Sequence, residues 1–205
     1  MKIKLKWVET NKHDPIWSDL SGRFRIEWAG RKPHPLGCYF LYDSHTKTHY
    51  HGFINYGRAQ SLAQAIVDDD IYKIGLVACC GEKLTKPALA FELYQSDLFK
   101  KASRYCQLNY HRWFILSAEL GLVFPDQIVH PYDRKLTAAD GPSWAPKVTE
   151  RLVYDPVTYG RTLYYAHAGK LYTDPLLADV PMAFPMKSLG IGEQLAWYKE
   201  RNITA

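Results

Sequence analysis

Three short stretches of this chain carry side chains able to do chemistry. The first is "IGLVACCGEK", residues 74 to 83, where an apolar run ends in Cys79, Cys80, Gly81, Glu82 and Lys83. A glycine-bearing loop that leaves a strand can turn backbone N–H groups toward a ligand, and Lys83 or Lys86 would neutralise a phosphate or carboxylate there. The glycines of a nucleoside-triphosphate loop are absent. Cys80 would be a nucleophile if Lys83 or a helix N-terminus lowered its pKa; the plainer reading buries Cys79 and solvates Lys83.

The second stretch is "WFILSAELGLVFPDQIVHPYDRKL", residues 113 to 136. A strand ends at Ser117, and Glu119, Asp126 and Asp133 follow in a region punctuated by Gly121, Pro125 and Pro131. Carboxylates gathered beside a strand end suit general-base or nucleophilic work, such as attack at the anomeric carbon of a nucleoside. Alternatively they cap turns and helix starts, as Asp commonly does. The third stretch, "MKSLGIGEQLAWYKE", sets Gly190 and Gly192 before a helix. Such glycines admit a phosphate or sugar close to the backbone, or simply open the helix.

Cofactor and metal chemistry find little support. Of the four cysteines, Cys38, Cys79, Cys80 and Cys106, the adjacent pair could bridge only through a strained ring, and no C-x-x-C spacing occurs. They read as reduced thiols. His49 and His51 share one face of a strand without an evident third ligand. No metal and no cofactor is expected.

The elements that must position these residues follow from periodicity. "KIKLKWV", "RFRIEW", "CYFLYD" and "HYHGFIN" have strand character, the last two joined by the turn-like "DSHTK". Leu62, Ala65 and Ile66 then give "YGRAQSLAQAIVDDD" a helical face. Asp68, Asp69 and Asp70 mark a boundary, so residues 1–69 are expected to form a small antiparallel sheet with one helix, and residues 70–205 an α/β domain. In the latter, "YKIGLVAC", "RWFILSAEL" and "RTLYYAHAG" read as strands. "AFELYQSDLFKKASRYCQLN" reads as one helix, with Leu93, Leu98, Ala102 and Tyr105 on a shared face; "PSWAPKVTERLVYDPVTYG" and "GIGEQLAWYKERNI" read as two more. The fold class is thus α/β, a parallel or mixed sheet covered by helices. Ligands of such sheets bind outside the carboxyl ends of the strands, which is where the first two stretches lie.

Composition fits a globular chain, with 47% hydrophobic and 23% charged residues and no apolar run long enough to span a membrane. A cytoplasmic location follows as the expectation. Charge is unevenly placed. Residues 1–67 hold ten Lys/Arg against five Asp/Glu, whereas residues 68–205 hold sixteen of each. A basic first third favours a polyanion, nucleic acid being the commonest, although solubility alone also explains it. Lys4, Lys6, Arg23, Arg25, Arg31 and Lys32 are its candidate contacts, and Trp7, Trp17, Trp28, Tyr39, Tyr42, Tyr50 and Tyr56 supply rings able to stack bases or to fill a small core.

"LVACCGEK", "ELYQSDLF", "WFILSAELGLVFPD", "HPYDRKL" and "LGIGEQLAWYKE" stand in the order of motifs in an uncharacterised bacterial and phage domain family, which residues 72–200 resemble. One departure is that Cys80 and Gly81 occupy places where the family tends to have Ser and Lys. That family is distantly similar to YaaA-like and nucleoside-binding α/β proteins. Some members resemble phage enzymes proposed to exchange guanine in DNA for 7-deazaguanines such as preQ0, and the Cys…Lys turn resembles the core motif of archaeosine synthase. The resemblance implies a base-modifying enzyme working at an N-glycosidic bond without metal. Asp126, Asp133 or Glu119 would be the reactive carboxylate, Lys83 the phosphate ligand, and Ser96 and Ser117 the groups that orient the base. Cys79, Cys80, Gly121, Tyr132, Gly190 and Gly192 would complete the binding site, with DNA and a nucleobase or nucleotide as partners. The alternative is a non-enzymatic binder or sensor of a nucleotide derivative in phage–host conflict.

Overall fold

A computed structural model describes residues 4–11, 16–28, 39–53, 55–153, 161–177 and 179–202. The protein is a mixed α/β fold in two compact units. The first comprises Met1–Tyr72, Leu152–Tyr164 and Asp174–Ala183, and the second Lys73–Arg151, Tyr165–Thr173 and Phe184–Ala205.

The first unit begins as an antiparallel meander of β1 (Trp7–Asn11), β2 (Ile16–Asp19), β3 (Phe24–Trp28), β4 (Tyr39–Asp43) and β5 (Thr48–Phe53). Alternation along these strands sends Phe24, Ile26 and Leu41 into the core at full burial while Arg25 stays exposed. Helix α1 (Tyr56–Val67) follows, started by the Asn55 side chain accepting from the Arg58 N–H, and buries Ala59, Leu62, Ala63 and Ala65. Two buried aspartates hold the turns. Asp19 accepts from the N–H groups of Ser21 and Phe24 at 2.8 and 2.6 Å, and Asp43 takes a two-pronged contact from Arg23 at 3.1 and 2.9 Å.

That contact changes the reading of the basic residues. Arg23 is tied to the fully buried Asp43, and Arg25 pairs with Glu27. Lys4 and Lys6 are exposed, whereas Arg31 and Lys32 lie outside the described residues. Trp17, Trp28, Tyr39 and Tyr56 pack against one another, Trp17 and Tyr56 stacking at 4.8 Å.

In the second unit, β6 (Tyr72–Ala78) pairs through residues 74–78 with a later strand. A small ladder of β7 (Ala88–Leu89) and the later β10 precedes helices α2 (Ala90–Leu93) and α3 (Asp97–Asn109). Strand β8 (Arg112–Ser117) lies parallel to β6, with Ile74 opposite Arg112 and Ala78 opposite Leu116. Strand β9 (Gly121–Val123) folds back antiparallel on β8; β10 is Ile128–Val129. The sheet is therefore mixed. The one long helix expected over residues 90–109 is two: Tyr94 is extended, and Ser96 starts the second by accepting from the Phe99 N–H at 3.3 Å. A side chain spent on the helix start is poorly placed to orient a ligand. Ser96→Ala should cost about 1 kcal/mol of stability, read from urea unfolding, and leave ligand affinity unchanged.

Val77, Ile115 and Val123 project to one face and pack with Leu93, Tyr94, Phe99, Ala102, Cys106 and Tyr198. Helix α4 (Gly141–Val153) runs on the opposite side: the Trp144 indole N–H donates to the Ser117 carbonyl at 2.8 Å, and Arg151 donates to the Leu122 carbonyl. Residues 154–160, expected to continue this helix, lie outside the described residues. Strand β11 (Thr162–His167), helix α5 (Lys170–Thr173), strand β12 (Met182–Ala183) and helix α6 (Ile191–Arg201) complete the chain. Within the first unit β12 pairs antiparallel with β5, Met182 opposite His51.

Candidate functional site

The carboxyl ends of β6 and β8 meet in the second unit, and the side chains there interlock. Ser117, the last residue of β8, is fully buried. Its Oγ accepts from the N–H groups of Glu119 at 3.2 Å and Leu120 at 2.9 Å. With both lone pairs occupied, the hydroxyl must donate its hydrogen, and the Tyr132 hydroxyl lies at 2.7 Å. Tyr132 in turn contacts the Tyr94 hydroxyl at 2.8 Å. Three hydroxyls joined by two contacts leave one hydrogen unspent. Burial pushes Tyr94 up to about 12 and raises Tyr132 further, so both phenols stay protonated; Tyr94 is fully buried, and half-buried Tyr132 is the phenol that can donate outward.

Positive charge sits beside this chain of hydroxyls. The loop after β6 folds back so that Lys83 bridges Tyr94 through the backbone, flanked by Leu84 N–H to Leu93 and Gln95 N–H to Glu82. The Lys83 ammonium then lies 4.3 Å from the centre of the Tyr132 ring and 5.7 Å from that of Tyr94, an attractive cation–ring arrangement. It reaches the Gly81 carbonyl at 3.4 Å, one of three possible donations. Cys79, whose N–H is held by the Leu116 carbonyl, places its Sγ 3.3 Å from the Tyr172 hydroxyl. Burial also raises Tyr172, and Trp144 packs edge-on to it at 5.6 Å. Cys80 turns to the Glu82 carbonyl at 3.1 Å.

The structure thus brings Cys79, Lys83, Ser117 and Tyr132 into one corner. The carboxylates are arranged differently. Glu119 leaves the corner through an exposed ion pair with Arg134, which also holds Asp140 at 3.0 Å. Asp126 is exposed in the turn that the Gln127 N–H closes onto the Phe124 carbonyl, and Asp133 is exposed beside Tyr132. Gly121 adopts a left-handed φ of 73° where β8 turns into β9, a backbone need that glycine meets without strain. Gly190 starts α6 with its N–H donated to the Glu193 carboxylate at 2.7 Å, and Gly192 lies inside α6, where a side chain would meet open space.

The family can now be stated: residues 74–200 match the model described as Family of unknown function (DUF6884). The chain belongs to this family. No curated protein and no solved structure matches the chain. The DUF6884 segment contains Cys79, Lys83, Tyr94, Ser117, Tyr132, Trp144 and Tyr172, hence the whole corner. Tyr94, Trp144 and Tyr172 escaped the sequence reading. Tyr94 was hidden inside an apparent helix, and Tyr172 lies in α5, five residues past the end of β11, where no strand-end signal marks it. Among the described residues no group of three or more His, Cys, Asp or Glu could hold a metal ion, and no helix is long and apolar enough to cross a membrane.

Proposed function

We propose that the DUF6884 corner binds a nucleobase or nucleotide and acts on its N-glycosidic bond, as in exchange of guanine in DNA for a 7-deazaguanine. The observation that carries this reading is the outward-donating hydroxyl chain Ser117–Tyr132–Tyr94 beside the Lys83 ammonium. A phenol hydrogen suits the O6 and N7 acceptors of a purine, the ammonium suits a phosphate, and the rings offer stacking surface. Glu119, two residues beyond Ser117, is the carboxylate whose place in the chain best fits attack on the anomeric carbon, once Arg134 releases it. A glycosyl–carboxylate intermediate needs no redox partner: a Glu119 oxygen bonds to C1 as the C1–base bond breaks with its electron pair leaving on the departing base, which takes up a proton, and the incoming base then gives up a proton and bonds to C1 as the C1–O pair returns to the carboxylate. The relation to YaaA-like and deazaguanine-modifying proteins belongs to this proposal.

The ion pairing of Glu119 and the turn position of Asp126 favour a second reading, binding without catalysis. One set of measurements separates the two. Purified protein would be titrated with preQ0, guanine and GMP by calorimetry, and DNA incubated with protein and preQ0 would be hydrolysed and its nucleosides weighed by mass spectrometry. Lys83→Ala and Tyr132→Phe should each weaken binding about tenfold or more. Incorporation that Glu119→Gln abolishes, with affinity intact, supports exchange. Binding without incorporation leaves the second reading, and a folded protein that binds none of the three compounds overturns both.

A further inference from the structure

The hydroxyl chain of the corner has a fixed direction. Ser117 Oγ, on a fully buried residue, spends both lone pairs on the N–H groups of Glu119 and Leu120, so its hydrogen goes to Tyr132. Tyr94 is also fully buried, and a buried hydroxyl hydrogen left without an acceptor is costly. Its hydroxyl lies 2.8 Å from that of Tyr132, and Ser117 has no lone pair left to offer, so Tyr94 too donates to Tyr132. The Tyr132 oxygen therefore accepts twice, and its own hydrogen has to point away from the chain. This residue is half-buried, which leaves that side open to a ligand. Lys83, whose ammonium stands over the Tyr132 ring, adds donors and no acceptor.

We propose that this polarity makes the corner selective for a 6-oxopurine over a 6-aminopurine, with Ser117 and Tyr94 as positioning residues that act through Tyr132. The inference deepens the reading above and rests on it. A guanine-type ring presents an acceptor at position 6, whereas adenine presents an N–H donor there. Tyr132 can donate to the first. Its filled oxygen can take nothing from the second, so an aminopurine sets two donors against each other. Exchange of guanine for a 7-deazaguanine also calls for an atom that both rings carry. Carbon in place of N7 removes that acceptor and leaves O6, so O6 is the atom that Tyr132 would hold.

The test titrates inosine and adenosine, a 6-oxopurine and a 6-aminopurine nucleoside, into the full chain by calorimetry. Wild-type protein should bind inosine at least about tenfold more tightly. Tyr94→Phe keeps the buried ring and removes one hydrogen, which frees a lone pair on Tyr132, so the preference should shrink to about twofold or less. Ser117→Ala frees the other lone pair and should act in the same direction, and Ser117→Thr, which returns the hydroxyl, should restore the preference. A merely structural role would weaken both nucleosides alike and leave their ratio unmoved. Adenosine bound as tightly as inosine by the wild type, or an unchanged ratio in folded Tyr94→Phe, overturns the proposal while the corner stands as a nucleoside site. Binding of neither nucleoside by the folded wild type overturns the reading of the corner and the proposal together.

Discussion

Lowering the pH from 7 to 4.5 should cost the second unit about 2–3 kcal/mol of stability, and replacing His167 should abolish that loss. His167 is the buried end of β11. Its Nδ1 lies 2.6 Å from the Tyr198 hydroxyl and its Nε2 2.8 Å from the Tyr110 hydroxyl, with the rings of Tyr105 and Trp197 closing around it. A neutral imidazole satisfies both contacts, donating to one phenol and accepting from the other. A protonated ring would donate to both, and the phenol that had donated to the ring would then need a new acceptor among aromatic side chains. Burial therefore lowers His167 from 6.5 to about 3.

The consequence has a definite sign. Above pH 6.5 the ring is neutral in folded and unfolded chains alike. Between 6.5 and about 3 only the unfolded chain takes up the proton, so unfolding is favoured by about 1.4 kcal/mol for each unit of acidification. Asp43, whose carboxyl is lowered from 3.8 with the Arg23 contact opposing its desolvation, adds its own loss only in stronger acid. Urea midpoints at pH 7, 6 and 5 would read the slope. His167→Phe should be less stable at pH 7, because two phenols lose a partner, yet nearly flat between 7 and 5. An unchanged slope in that variant would place the acid sensitivity elsewhere.

How much of this was legible beforehand depends on the range of the interaction. The apolar runs in "YKIGLVAC" and "RWFILSAEL" and the spacing in "GIGEQLAWYKE" are local, and they mark β6, β8 and α6 directly. Ser117 and Cys79 are legible as strand ends for the same reason. The break at Tyr94 is not, because residues 90–109 keep a helical spacing on both sides of it; the extended residue is held by the Lys83 bridge, a contact that periodicity does not register. Arg23 looked like a surface cation because its partner Asp43 stands twenty residues away, across the β3–β4 ladder. The Ser117–Tyr132–Tyr94 chain likewise joins residues 15 and 38 positions apart. Spacing along the chain names the candidates, and long-range pairing decides which of them remain available to a ligand.

Gly75 shows how tightly that pairing is built, and its substitution should be among the most damaging in the chain. It lies in β6 facing α3, and a Cβ there would stand 2.7 Å from both Cys106 Sγ and Tyr110 Cδ2 and 3.0 Å from Cys106 Cβ. Cys106 is fully buried and Tyr110 stacks on Tyr165 at 4.7 Å, so neither can simply swing aside. Gly75→Ala should cost about 1–3 kcal/mol through overpacking, and Gly75→Val more. Adding Cys106→Ala to Gly75→Ala should recover part of the loss, a coupling on the order of 1 kcal/mol in a double-mutant cycle; strict additivity would mean that the helix and strand separate freely. Tyr110 links this contact to the acid response, since the same phenol holds His167. Pushing Tyr110 outward admits water to the imidazole and relieves its desolvation. Gly75→Ala should therefore also show a shallower loss of stability between pH 7 and 5 than wild type.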